Sequence, residues 1–251
     1  MDNLFDELME SIFIESGFSL ARIKYIEESF GVFTSLYVAH KPNSDYFIYL
    51  HLPEKSLSYI SNDIQIKLSS ILKNDAASME LVSGEPIAIS SSFEKNATLI
   101  IFTNQEETSI INVEKQAIAI EEDPYFFKKQ VLVASPKDLD VVSSNFEEHR
   151  ENYTSYLQGL ISDPQIFNEF MNSSNHRPTN QVREYSFAAK LYEKLPFLAL
   201  AVEKSTSEDL QKNIDNALSE SQRDECEALL KLDEDNLSDW LAEIVKEEND
   251  D

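Results

Sequence analysis

Residues 31–52 read GVFTSLYVAHKPNSDYFIYLHL, two stretches rich in Val, Ile, Tyr and Phe joined by Lys41-Pro42-Asn43-Ser44-Asp45. That linker is turn chemistry: proline fixes φ, and Asn and Asp hydrogen-bond their own backbone. The expectation is two strands, Gly31–His40 and Asp45–Leu52, paired as a hairpin. Toward the N-terminus, Phe18–Ile26 has the same composition and is set off by Glu28-Ser29-Phe30-Gly31, which makes a three-stranded meander. Before it, Leu4, Phe5, Leu8, Met9, Ile12 and Phe13 recur at spacings of three and four among Asp2, Asp6, Glu7 and Glu10. That spacing predicts an amphipathic helix closed near Gly17.

Toward the C-terminus, Leu57, Ile60, Ile64, Leu68, Ile71 and Leu72 predict a helix over Ser56–Leu72 leaning on one face of the sheet. Ala97–Asn104 and Val131–Ala134 read as further strands. Between them the alternating pair Ile118 and Ile120 runs into an acidic turn. From Asp138 the pattern is helical, with Phe146, Tyr153, Leu157 and Leu160 on one side, and Val182–Leu195 is a helix stopped by Pro196. Asn172–Asn180 has no apolar residue and reads as a loop. Phe197–Val202 reads as a buried strand, with an apolar helical segment as the competing assignment. The fold class expected is α+β: an N-terminal helix and an antiparallel sheet with a packing helix, followed by a mainly helical C-terminal half. The expected domains are 1–135, 136–202 and 203–251.

Composition narrows the function. The 251 residues carry 21 Lys and Arg against 46 Asp and Glu, a formal charge of -25. A field of that sign repels phosphate backbones and anionic lipid heads, so autonomous nucleic-acid binding and membrane binding are not expected. The longest apolar run, Leu195–Val202, is far shorter than the roughly 20 residues that span a bilayer. One cysteine, Cys226, and an acidic N-terminus point to a cytoplasmic protein. Residues 203–251 hold 17 acidic and five basic side chains, yet Leu210, Ile214, Leu218, Leu229, Leu230, Leu237, Trp240, Leu241 and Ile244 keep helical spacing. Acidic amphipathic helices are expected there, with a disordered end from Lys246.

The chemistry of enzymes is poorly represented. The four histidines, His40, His51, His149 and His176, lie far apart in sequence, without the paired spacing of a zinc site. Four glycines, Gly17, Gly31, Gly84 and Gly159, cannot build a phosphate-binding loop. Acids around Cys226 disfavour its thiolate. Asp233-Glu234-Asp235-Asn236 lacks the glycine and terminal glutamate of a calcium loop. No catalytic residue, cofactor or metal is therefore assigned.

The run Glu121, Glu122, Asp123, Pro124, Tyr125, Phe126, Phe127, Lys128, Lys129 concentrates acids, aromatics, a proline and lysines in nine positions. Such a mixture suits a partner interface. Equally, Tyr125 and Phe127 could fill the core under a strand-to-helix turn while the acids cap the helix that follows, because large aromatics serve cores and interfaces alike. Leu237, Trp240 and Leu241 are a second candidate interface.

Three motifs carry a resemblance: Asp45-Tyr46-Phe47-Ile48-Tyr49-Leu50, the Glu121–Lys129 run with Val131-Leu132 after it, and Lys190-Leu191-Tyr192-Glu193-Lys194-Leu195-Pro196-Phe197-Leu198. Together they resemble the middle component, type 1, of bacterial ABC-three-component conflict systems and the related small middle subunit of Lamassu-type anti-phage systems. The resemblance implies a non-catalytic adaptor that bridges an SMC- or ABC-type ATPase and an effector subunit, often a nuclease. In that setting the acidic helices of 203–251 would hold an effector's DNA-binding face until activation. Two other classes fit the residues less fully: an acidic secretion-type chaperone, and a divergent enzyme using carboxylates such as Glu122 and Asp123.

Overall fold

The computed structural model describes residues 2–23, 35–74, 79–105, 110–173, 178–200, 218–219 and 221–223. Met1–Leu200 forms one compact unit and Ala201–Asp251 a second. The first unit is built on a six-stranded mixed sheet in the order β4-β1-β2-β3-β5-β6. Its strands are β1 (Ser19–Ile23), β2 (Ser35–His40), β3 (Tyr46–His51), β4 (Met79–Ser83), β5 (Ala97–Asn104) and β6 (Lys128–Ala134). β1, β2 and β3 form the expected antiparallel meander, and β4 pairs antiparallel with β1. β5 then adds in parallel to β3 and β6 in parallel to β5, so the antiparallel expectation holds for β4, β1, β2 and β3 and not for the last two strands. Parallel neighbours need a crossover, and helices supply it on both occasions.

Among the described residues seven helices cover the sheet: α1 (Asp2–Glu15), α2 (Gln65–Asn74), α3 (Ile110–Glu121), α4 (Pro136–His149), α5 (Tyr153–Ile161), α6 (Pro164–Asn172) and α7 (Asn180–Lys194). The pleat divides each central strand between two cores. Tyr37, Phe47, Tyr49, Ile100, Phe102 and Leu132 point to the side covered by α1 and α4–α7. Leu36, Ile48, Leu50, Leu99, Ile101 and Val131 point to the side covered by α2, the turns before it and α3. Strands buried on both faces are apolar at nearly every position, which is why β3 and β5 read as continuous hydrophobic runs.

Local signals place the boundaries. α1 ends in a glycine-closed turn, with Gly17 at φ 79° and the Phe18 N–H donating to Phe13 O at 3.0 Å. In the β2–β3 turn Asn43 takes φ 60°, a region asparagine tolerates. Ser135 and Asp138 form a reciprocal capping box at the start of α4, with Pro136 in its first turn. The expected Ser56–Leu72 helix is present but changes pitch, from a 3-10 segment (Glu54–Tyr59) through one π turn (Ile60–Ile64) into α2.

Two elements were not anticipated. β4 is exposed along most of its length, so it carries no alternation to read. α3 replaces the alternating Ile118–Ile120 pair: Ile120 is 4% exposed and Ile118 54%, because residues two apart lie on different sides of a helix. One assignment is corrected. Residues 197–200 form neither strand nor helix; Leu198 N–H closes a turn onto Leu195 O at 2.9 Å, and Pro196 has no N–H to give a ladder. Phe197 instead stacks on Phe13 and meets Phe18 and Phe47 edge-to-face, with ring centroids 4.8–5.1 Å away. The parts of the first two expected strands at 24–34, the centre of the expected 172–180 loop, residues 201–202 of the expected 197–202 strand, and nearly all of the acidic helices lie outside the described residues.

A polar cluster locks α1 to the meander. The buried Asp6 carboxylate accepts a hydrogen bond from Ser35 Oγ and one from Tyr49 Oη at 2.9 Å, and contacts His51 Nδ1 at 3.0 Å. Burial, then the Asp6 charge, pushes the Tyr49 phenol well above its ordinary range, so it stays a donor. Removing one partner from such a cluster strands the others in the core. Asp6→Ala is expected to cost about 3–5 kcal/mol by urea denaturation, and a loss below about 1 kcal/mol would show that water replaces the carboxylate.

Candidate protein-interaction site

The Glu121–Lys129 run is a helix-to-strand turn, the reverse of the strand-to-helix order expected. α3 ends at Glu121, and Glu122 and Asp123 continue its hydrogen bonding, their N–H groups donating to Ile118 O (2.9 Å) and Ile120 O (3.3 Å). A carboxylate at a helix C-terminus opposes the macrodipole. Glu121 is compensated by two donors, the Lys194 ammonium at 2.9 Å and the Val131 N–H at 2.8 Å.

Asp123 and Lys129 fold the turn. The Asp123 carboxylate accepts from the Tyr125 N–H at 3.1 Å and from Gln65 Nε2 at 3.0 Å, and it lies 3.5 Å from Lys129 Nζ. Burial alone would raise its pKa; the hydrogen bonds from Tyr125, Ser61 and Gln65 and the Lys129 charge bring it below the ordinary value. Lys129 is fully enclosed and donates to Asp123 O (2.9 Å), Tyr125 O (2.6 Å) and Phe127 O (3.1 Å). Burial pulls this ammonium below its ordinary pKa, and Asp123 partly restores it.

Three carbonyls drawn to one ammonium bend the chain sharply. Phe127 N–H closes onto Tyr125 O at 3.0 Å, leaving Phe126 at φ 63°, a conformation a bulky residue rarely adopts. The bend sorts the aromatics. Phe127 is buried beside Phe93, whereas Tyr125 is 70% and Phe126 42% exposed. Of the candidate interface residues, Glu122, Pro124, Tyr125, Phe126 and Lys128 are exposed, while Glu121 and Asp123 are half-buried and Lys129 is buried. Lys128 lies 3.7 Å from Asp45. Leu237, Trp240 and Leu241 lie outside the described residues.

A second polar region, which no sequence signal marked, lies between α4, α5 and α7. Glu184 is buried, accepts from Tyr156 Oη at 2.7 Å and neighbours Asn145 and His149; His149 stacks on Tyr156 with centroids 4.0 Å apart. Burial raises the Glu184 pKa above its ordinary 4.5, against the hydrogen bonds from Tyr156 and Asn145. Its members sit on three helices, 28 residues apart for Tyr156 and Glu184, which is why the sequence did not show it. His40 stacks on Tyr46 and His51 is engaged with Asp6, so the described histidines are not gathered. Among the described residues no group of three or more His, Cys, Asp or Glu is arranged to hold a metal ion, and no helix is long and apolar enough to cross a membrane.

The turn lies inside a stretch with known relatives. Residues 45–158 match the family model of the ABC-three component (ABC-3C) system Middle Component 1. That is a little under half of the chain, and it runs from β3 into α5, taking in α3, the turn and β6. Two of the three motifs behind the resemblance lie within the Middle Component 1 match; the third, Lys190–Leu198, lies beyond it. No curated protein and no solved structure matches the chain.

Two measurements check this geometry. Lys129→Met leaves carbonyls without their donor and is expected to lower stability by about 1–3 kcal/mol in chemical denaturation. Glu184, with a raised folded pKa, contributes stability that is full below 4.5 and is lost as pH rises through the folded value. Glu184→Gln should therefore flatten the stability–pH curve just above 4.5, as read by thermal melts from pH 4 to 7.

Proposed function

We propose that this chain is a non-catalytic adaptor of an ABC-three-component conflict system, bridging an SMC- or ABC-type ATPase and an effector subunit, with the Lamassu-type middle subunit as its functional analogue. The observation that carries the reading is the exposed Tyr125–Phe126 pair, held out on a rigid turn within the segment matched to Middle Component 1. Aromatics on a pre-formed support are the residues that anchor protein interfaces, because they bury large area at little cost in ordering. Strain such as that at Phe126 persists where the surroundings enforce it, and it clusters at functional positions.

In this reading Glu122, Pro124, Tyr125, Phe126 and Lys128 meet the partner, while Glu121, Asp123 and Lys129 hold the turn. Leu237, Trp240 and Leu241 form the other docking surface. A charge of -25 suits docking on basic protein faces in the cytoplasm.

Purification of the chain from its native operon at moderate salt, with mass spectrometry of what co-elutes, tests the assignment: an ATPase and an effector are expected, and a secreted client would favour the chaperone instead. Tyr125→Ser with Phe126→Ser should weaken the complex at least tenfold, about 1.4 kcal/mol, while stability changes by less than about 0.5 kcal/mol per site. Phe126→Gly is the sharper variant. It relieves the positive φ and should leave the isolated chain as stable or more so, by up to about 1 kcal/mol, yet weaken assembly. Stability falling with binding would assign Phe126 to the fold rather than to the interface.

A further inference from the structure

Among the described residues β6 is the last strand of the sheet, and its outer edge is covered by side chains instead of by a strand. Ala134 O accepts the Gln105 N–H at 2.9 Å, so Ala134 and, by the pleat, Leu132 turn their backbone groups toward β5. Val131 and Val133 turn theirs outward. The Val131 N–H donates to the Glu121 carboxylate at 2.8 Å, and the Val133 carbonyl receives the Lys190 ammonium at 3.5 Å. A carboxylate oxygen and an ammonium thus stand where the C=O and N–H of a neighbouring strand would be.

Charged covers are a common means of keeping an edge from pairing. Two features set this edge apart from one that is simply protected. A groove of about 290 Å³ runs along β6 between α3 and α7, near the lower end of volumes that hold a ligand. Into its lining comes Gln105, whose Nε2 is buried with no hydrogen-bond partner among the described residues, an amide donor placed for a carbonyl that they do not provide. Permanent covering would fill that space and pair that nitrogen.

We propose that this groove receives an extended, basic segment of a partner subunit, which adds as a seventh strand beside β6 and displaces Glu121 and Lys190 from Val131 and Val133. The commitment to a basic segment follows from charge. The groove is lined by Glu114, Glu121, Asp138 and Glu193 against Lys190 and Lys194, within a chain of -25. The ladder would supply affinity, and the Gln105 amide a fixed contact. This inference rests on the adaptor reading and deepens it by naming how one partner is held.

The test is amide hydrogen exchange on the full chain, alone and in the complex recovered from the native operon. Exchange at Val131 or Val133 slowed at least tenfold in the complex is expected. Val133→Pro removes an outward N–H without touching the ladder to β5, and should weaken assembly at least tenfold with its melting temperature held within a few degrees. Should that variant misfold, Gln105→Leu serves, with assembly weakened several-fold and stability kept or raised.

An assembled complex with β6 amides exchanging as in the free chain overturns the proposal and leaves the adaptor reading standing. Recovery of the chain alone removes both. Concentration-dependent protection with a doubled mass would replace the partner by a second copy, and protection by a bound small molecule in native mass spectrometry would replace the peptide; each overturns the occupant named here.

Discussion

A sheet that buries both faces sets the terms for everything else in the Met1–Leu200 unit. An antiparallel meander can leave one side wet, but Ile48, Ile101 and their neighbours on one face and Tyr49, Phe102 and theirs on the other leave no side for water. Helices must then lie on both faces, and the chain reaches them by crossovers, which makes the later strands parallel. α3 is one such crossover. Its end is the point from which the chain must re-enter the sheet, and the Lys129 turn performs that re-entry.

Glu121 joins the two regions proposed to meet partners. One carboxylate closes the C-terminus of α3, takes Lys194 from α7 and covers the Val131 N–H of the edge strand. The aromatic turn and the β6 groove therefore share a residue and are not independent surfaces. An event that draws Glu121 from Val131 also disturbs the helix end that leads into the Tyr125–Phe126 turn. Coupling of this kind needs no change in the core, since the elements involved are a helix terminus, a turn and a strand edge.

Much of this was legible in the residues and some was not, for physical reasons. α1, the meander and the stop of α7 at Pro196 stand out because periodicity and punctuation are local. β4 was illegible because Leu81 and Val82, on opposite faces, are both exposed and leave no pattern. α3 was masked by the exposed Ile118, which mimics strand alternation. In the acidic run the core alternative puts Tyr125 and Phe127 inside together, yet only Phe127 is buried, since the bend at Phe126 resets the alternation. The sequence groups Lys129 with the candidate interface, and only the three carbonyls around it reveal its place. Pairs such as Glu121 with Lys194, 73 residues apart, lie beyond any local reading.

The clamp at Lys129 also bears on timing. A loop that must order itself before docking adds a slow step to each encounter, whereas a turn already held by one enclosed ammonium presents its aromatics at every collision. If the turn is the docking site proposed above, partner capture there would be governed by diffusion and orientation, and with -25 charges on the chain the arrival of a basic surface would be accelerated by long-range attraction. Ionic strength would then be the dial on how quickly such a complex forms, while burial of the two aromatics within it would set how long it lasts.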